Sequence, residues 1–173
     1  MKIVTSLLIL MVLLSSCGGI KVSYDYDESA DFTRLKTYNY INGEDSGLSE
    51  LDLNRIKKAT DSLLQSRNYQ KTDQPAMLLD IFGDKYEKAS RSRLGLGVGG
   101  GRNIGVGVGG GIPLGGRKLH QTITFNIVDA QKNDLIWQAV SDSNLKIKTE
   151  PAERMAYFRK LVERVLNKFP PEN

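Results

Sequence analysis

The chain has 173 residues, with 24 Lys and Arg against 20 Asp and Glu, a formal net charge of +4, one cysteine and one histidine. A balance so mixed in sign, without a run of Lys or Arg, excludes the basic track that follows a phosphate backbone, and nucleic acid is not an expected partner. A lone cysteine cannot close a disulfide within the chain, so stability has to come from packing.

The first residues read as a targeting segment. Lys2 supplies a positive start, and Ile3 to Leu14 is apolar apart from Thr5 and Ser6. That run is shorter than the roughly 20 residues a membrane-crossing helix needs, which makes it the apolar part of a signal peptide over residues 1–16. Ser15 and Ser16 are small enough for a peptidase cleft, and Leu14-Ser15-Ser16-Cys17 resembles a bacterial lipobox, with cleavage between Ser16 and Cys17. The alternative is an ordinary secretory signal with a chance cysteine, which leaves Cys17 without a use. The resemblance implies a diacylglyceryl thioether and an N-acyl chain on Cys17, and two or more acyl chains anchor stably where one does not. Gly18 and Gly19 follow in place of acids, as in lipoproteins delivered to the outer membrane and facing the periplasm.

Residues 17–173 are one domain's worth of chain. Lys21 to Tyr26 alternates, with Val22, Tyr24 and Tyr26 on one face, and predicts a half-buried strand; Lys36 to Ile41 predicts a second. Ser49 with Asp52 three residues on forms a capping-box pattern, and Leu53, Ile56, Ala59 and Leu63 recur at helical spacing to an expected end near Asn68. Ala76 to Phe82 is a short apolar run that predicts a strand, with a continuation toward Lys88.

Twelve of the seventeen glycines then gather between Leu94 and Gly116, where GLGVGGG at Gly95 to Gly101 returns as GVGVGGG at Gly105 to Gly111. Both copies satisfy G-x-G-x-x-G, through Gly95, Gly97, Gly100 and through Gly105, Gly107, Gly110. Turn formers follow each copy, Arg102-Asn103 or Ile112-Pro113, so no helix N-terminus is available to hold a pyrophosphate, and a nucleotide is not expected. Glycine alternating with Leu, Val and Ile leaves a loose hairpin or a mobile loop, and glycine's backbone entropy favours the loop. Its apolar residues, among them Leu96, Val98, Ile104, Val106 and Val108, are candidate contacts to a membrane or a protein partner.

Beyond the insert, Leu119, Gln121, Ile123, Phe125 and Ile127 share one strand face and His120, Thr122, Thr124 and Asn126 the other. The polar stretch Asp129 to Asp134 turns into a second strand, Leu135 to Leu145, which predicts a hairpin. Pro151 then opens a helix whose buried stripe is Met155, Phe158, Val162, Val165, Leu166 and Phe169, ended by Pro170-Pro171. The resulting order is β-β-α-β-β-β-α, with the insert between the third and fourth strands. Its fold class is α+β, a largely antiparallel or mixed sheet with two helices on one face.

These residues resemble the bacterial lipoproteins of the family called domain of unknown function 4136. The resemblance lies in Val22-Ser23-Tyr24-Asp25-Tyr26, Asp31-Phe32 with Lys36-Thr37-Tyr38, Thr122 to Ala130, Leu135-Ile136-Trp137 and Lys168-Phe169-Pro170-Pro171. It implies this fold and an envelope location and carries no agreed activity. The chain departs from the family in two places. Asn68 stands where glycine is usual before an aromatic, a position asparagine tolerates at positive φ, and the insert lacks the aromatics the family often has there.

Few residues suggest chemistry. His120 is the only histidine and reads as a solvated strand residue rather than a triad base. Asp80, Asp84 and Glu87 lack the spacing of a calcium loop, so no metal is expected, nor a cofactor. Trp137, between Leu135 and Ala139, reads as core. Arg154, Arg159, Lys160, Arg164 and Lys168 on the last helix could face anionic lipid, but Glu153 and Glu163 among them suggest a solvated face. The chain is therefore expected to be a non-enzymatic binding or assembly module, held to the membrane by Cys17 and docking on an envelope protein, lipid or glycan. A small periplasmic hydrolase using His120 is the alternative. A serine or carboxylate beside His120 favours the enzyme, and an exposed His120 without one favours the docking module.

Overall fold

A computed structural model describes residues 19–41, 46–88, 93–94, 112–113, 118–146 and 149–171. Among them the elements are β1 (Lys21–Tyr26), a 3-10 turn (Phe32–Arg34), β2 (Thr37–Tyr40), α1 (Glu50–Ser66), β3 (Gln70–Lys71), β4 (Met77–Lys88), β5 (Arg93–Leu94), β6 (Ile112–Pro113), β7 (Lys118–Asp129), β8 (Asp134–Lys146) and α2 (Pro151–Leu166). Six strands form one sheet in the order β1-β8-β7-β4-β2-β3, and β5 pairs with β6 alone. This is the expected α+β arrangement with three short strands added. Two-residue strands such as β3 carry no periodic signal that a sequence could show.

The sheet is mixed because α1 intervenes between β2 and β4. A helical crossover returns the chain to the end of the sheet where it started, so β2 runs parallel to β4 and to β3. The other pairs, β1 with β8, β8 with β7 and β7 with β4, are antiparallel. Arg93 lies opposite Pro113 and Leu94 opposite Ile112 in an antiparallel pair, and the glycine repeats between them, on which the choice of loop or hairpin falls, lie outside the described residues.

Each helix forms for a local reason and buries one stripe. Ser49 caps α1 by accepting a hydrogen bond from the Asp52 N–H at 3.3 Å, and α1 buries Ile56, Ala59 and Leu64. The chain leaves α1 through Asn68 at φ 64°, the left-handed conformation expected of this residue. Pro151 starts α2, which buries Phe158, Leu161, Val162, Val165 and Leu166. Both stripes pack on the sheet face made by Tyr38, Met77, Leu79, Ile81, Ile123, Phe125, Ile127, Trp137 and Ala139, and each large side chain so buried is worth roughly 1.5–3 kcal/mol.

Two glycines bring the start of α1 down onto the sheet. Gly47 sits at φ 65°, and a Cβ there would lie 2.2 Å from the Gly83 carbonyl oxygen. The Gly83 N–H donates to the Ser46 carbonyl at 2.8 Å. A Cβ on Gly83 would in turn lie 2.5 Å from the Thr122 carbonyl oxygen. Only glycine at both positions permits this approach, and it fixes the N-terminus of α1 above the sheet end from which the insert departs.

Candidate functional site

Ser16, Cys17, Leu96, Val98, Ile104, Val106 and Val108 lie outside the described residues. The strands nevertheless show where the segments that carry them attach. Lys21 at the start of β1 pairs with Asp142, Asp142 with Thr122, and Thr122 with Asp84. The beginning of the folded chain and both flanks of the insert therefore share one end of the sheet.

At that end the structure corrects the reading of His120. It is 8% exposed, not solvated, and its Nε2 lies 3.0 Å from Asp142 Oδ2. Its Nδ1 is 3.4 Å from Asn144 Oδ1. His120 pairs with Asn144 across the ladder and Asp142 is two residues back along β8, so the three share the sheet face away from the helices. Sequence spacing hides this contact because it joins two strands through register. The nearby serines of β8 belong to the other face by the alternation of a strand. Ser141 Oγ donates to the Ile123 carbonyl at 3.1 Å, and Ser143 Oγ to the Gln121 carbonyl at 3.4 Å.

On the helix side of the same end, polar groups are buried together. Asp52 is 1% exposed and takes both Nε and Nη2 of Arg154, at 2.6 and 2.7 Å, while Arg55 Nη1 stands 3.2 Å away. Arg154, read from sequence as part of a solvated face, is instead bound to the buried Asp52. The Asp52 hydrogen bonds raise its pKa further. The Tyr157 hydroxyl pairs with Ser143 Oγ, and burial pushes the phenol upward against the opposing effect of that bond. Gln121, opposite Ser143, is fully buried, and among the described residues neither its Oε1 nor its Nε2 has a hydrogen-bond partner.

The remaining candidates separate into structural and surface roles. Trp137 is 1% exposed, donates from Nε1 to the Lys168 carbonyl at 3.2 Å and meets Phe169 edge-on, with ring centroids 5.4 Å apart. Asp80 and Asp84 sit on the open sheet face with His120, and among the described residues no group of three or more His, Cys, Asp or Glu gathers as a metal would need. Asp129 holds the β7–β8 turn by accepting from the Gln131 and Lys132 N–H groups and from Arg34. Burial opposes its ionisation, but these donors outweigh it and set its pKa below the ordinary value.

Between α1 and α2 runs an open groove of about 310 Å³ with Ala59, Leu63, Met155 and Val162 along it and Lys58 and Arg159 at its rim. Arg164 Nη1 donates to the Ile20 carbonyl at 2.9 Å, which holds the start of the folded chain against α2. Arg159, Lys160, Arg164 and Lys168 are all exposed. Among the described residues no helix is long and apolar enough to cross a membrane.

A mixed six-stranded sheet with two helices on one face defines the class of domain. The family described as "Domain of unknown function (DUF4136)" matches residues 22–171, and the chain belongs to it. No curated protein matches the sequence. A PDZ domain protein from Parabacteroides distasonis is similar in structure, with a TM-score of 0.57 at 13% identity over 98% of this chain. The similarity covers 40% of that protein, so this chain spans less than half of its length. The PelC dodecamer from Paraburkholderia phytofirmans has a TM-score of 0.54 at 8% identity, over 90% of this chain and 100% of that one. At such identities the likeness is one of fold.

Proposed function

We propose that this protein is a lipid-anchored module of the bacterial cell envelope that binds a partner and catalyses no reaction. Cys17 carries the lipid and holds the domain to the outer membrane on its periplasmic side. Leu96, Val98, Ile104, Val106 and Val108 of the insert provide the contact to an envelope protein, lipid or glycan. The observation that carries this reading is the Arg164 hydrogen bond to Ile20. The fold begins within a few residues of Cys17, and that bond ties the beginning to α2, where Arg159, Lys160 and Arg164 are exposed with Glu153 and Glu163 among them, a basic excess suited to anionic headgroups. The shared sheet end supports the second part, because it puts the flanks of the insert at the same end of the sheet as the start of β1.

The test is Cys17→Ser in the full chain, with a palmitate analogue supplied to the cells and membranes then separated. The parent is expected to label and to sediment with the outer membrane, and the variant to do neither. A labelled or membrane-bound variant overturns the tether.

A small periplasmic hydrolase is the second reading, favoured by the Asp142 carboxylate beside His120. It requires a nucleophile that His120 can deprotonate, and the hydroxyls of Ser141 and Ser143 bond to carbonyls on the other face of the sheet. Labelling of the full chain by a serine-reactive phosphonate, lost in His120→Gln, would establish the hydrolase instead.

A further inference from the structure

We propose that β1 is a self-association edge, where the β1 strands of two copies pair antiparallel about a two-fold axis at Ser23. The sheet ends at β1, with β8 on its inner side. The Asp27 N–H donates to the Ile136 carbonyl at 3.0 Å, and β1 continues that register with β8. The odd-numbered residues therefore bond inward, and the backbone groups of Val22, Tyr24 and Tyr26 point outward. The flanking outward groups are engaged within the chain. The Ile20 carbonyl takes Arg164, and the Tyr26 N–H takes Asp25 Oδ1 at 2.9 Å. Among the described residues the N–H and C=O of Val22 and of Tyr24 have no hydrogen-bond partner outside the strand.

Those four groups match themselves. With the axis at Ser23, Val22 of one copy faces Tyr24 of the other, and the two exchange both hydrogen bonds; the symmetric pair repeats this, so all eight groups are satisfied. Side chains match in the same register. Lys21 falls opposite Asp25 of the second copy on the open face, where opposite charges attract. On the helix face Val22 packs against Tyr24, a residue 45% exposed in the single chain. The other edge of the sheet is closed to such pairing, since β3 has two residues and Lys71 bonds Asp61 at 3.2 Å and lies over the Tyr40 ring. The two-fold axis stands perpendicular to the sheet, so both copies show α2 on the same side and can rest on one surface.

Disulfide trapping in the full chain tests the register. On the axis the two Ser23 Cα atoms stand about 4.5 Å apart, within reach of a disulfide, whereas two Asp25 residues are separated by four positions, about 13 Å. Membranes carrying Ser23→Cys, oxidised and run on a non-reducing gel, are expected to give a band of twice the monomer mass that the parent and Asp25→Cys lack. Adding Lys21→Glu to Ser23→Cys should cut that band several-fold by opposing two carboxylates, and adding Asp25→Lys as well should restore it. A monomeric Ser23→Cys, equal trapping through Asp25→Cys, or no recovery in the charge-swapped variant overturns the proposal. None of these substitutions removes a backbone bond to β8, so the fold is retained in each.

Discussion

Far from the insert the contact between helices and sheet is aromatic, and beside the insert it is polar. At the far end Phe169 is surrounded by Trp137, Phe32 and Tyr69, with centroids 5.4 to 6.1 Å away. At the near end Asp52, Arg154, Ser143, Tyr157 and Gln121 occupy the equivalent layer. The aromatic end gains from area removed from water and from ring geometry, with little demand on direction. The polar end gains little net free energy, because burying an ion pair costs about what its attraction returns. Its bidentate Arg154–Asp52 geometry instead fixes the two helix starts relative to each other, which area alone does not do. Stability and positioning are thus assigned to opposite ends of one domain, and positioning falls to the end that carries the insert.

The largest effect is expected from breaking the aromatic end. Trp137→Ala leaves a cavity between β8 and Phe169, and urea unfolding should show a loss on the order of 3–5 kcal/mol. A loss under 1 kcal/mol would mean that the rings collapse to fill the space and that the end is not a packed core. Breaking the polar end asymmetrically comes next. Arg154→Met takes the bidentate guanidinium away from the buried Asp52, and about 3 kcal/mol should be lost, since removing one partner of a buried pair leaves the other charge poorly compensated. Asp52→Leu together with Arg154→Met removes both charges and is expected to recover most of that loss. Failure to recover would show that the pair stabilises the fold outright. The smallest and most discriminating change is Gln121→Met. Among the described residues the amide has no partner, so its replacement should leave stability unchanged or raise it by about 1 kcal/mol. A clear loss would place an unseen partner against that amide.

The same contrast explains what the sequence revealed. The aromatic end was legible, because Trp137 and the stripe of α2 follow strand and helix periods that are local in the chain; Phe169, read as the last residue of that stripe, is buried but lies past the end of α2 at Leu166. The cap at Ser49 and the left-handed Asn68 were legible for the same reason. The polar end was not. Asp52 showed itself only as a capping residue and Arg154 only as one base in a row, and their meeting depends on two helices being laid side by side. His120 looked solvated because its strand face was polar, and the neighbours that shelter it arrive through the register of β8. Parallel pairing of β2 with β4 was also hidden, since a two-residue strand and a crossover leave no pattern in the residues themselves.

The partnership of β1 with β8 also sets the order of events in folding. Tyr26 and Trp137, opposite each other in the ladder, are about 110 residues apart in the chain. Closing a loop of that length costs on the order of 2 kcal/mol more entropy than closing one of ten residues. The β7–β8 hairpin closes over a short turn and can form early, whereas β1 has to wait for a docking strip that is made last but for α2. Such long-range pairing slows a domain's folding. Until β8 arrives the first strand of the domain remains an unfolded segment with both of its edges open, the state in which a chain is most available to whatever escorts it.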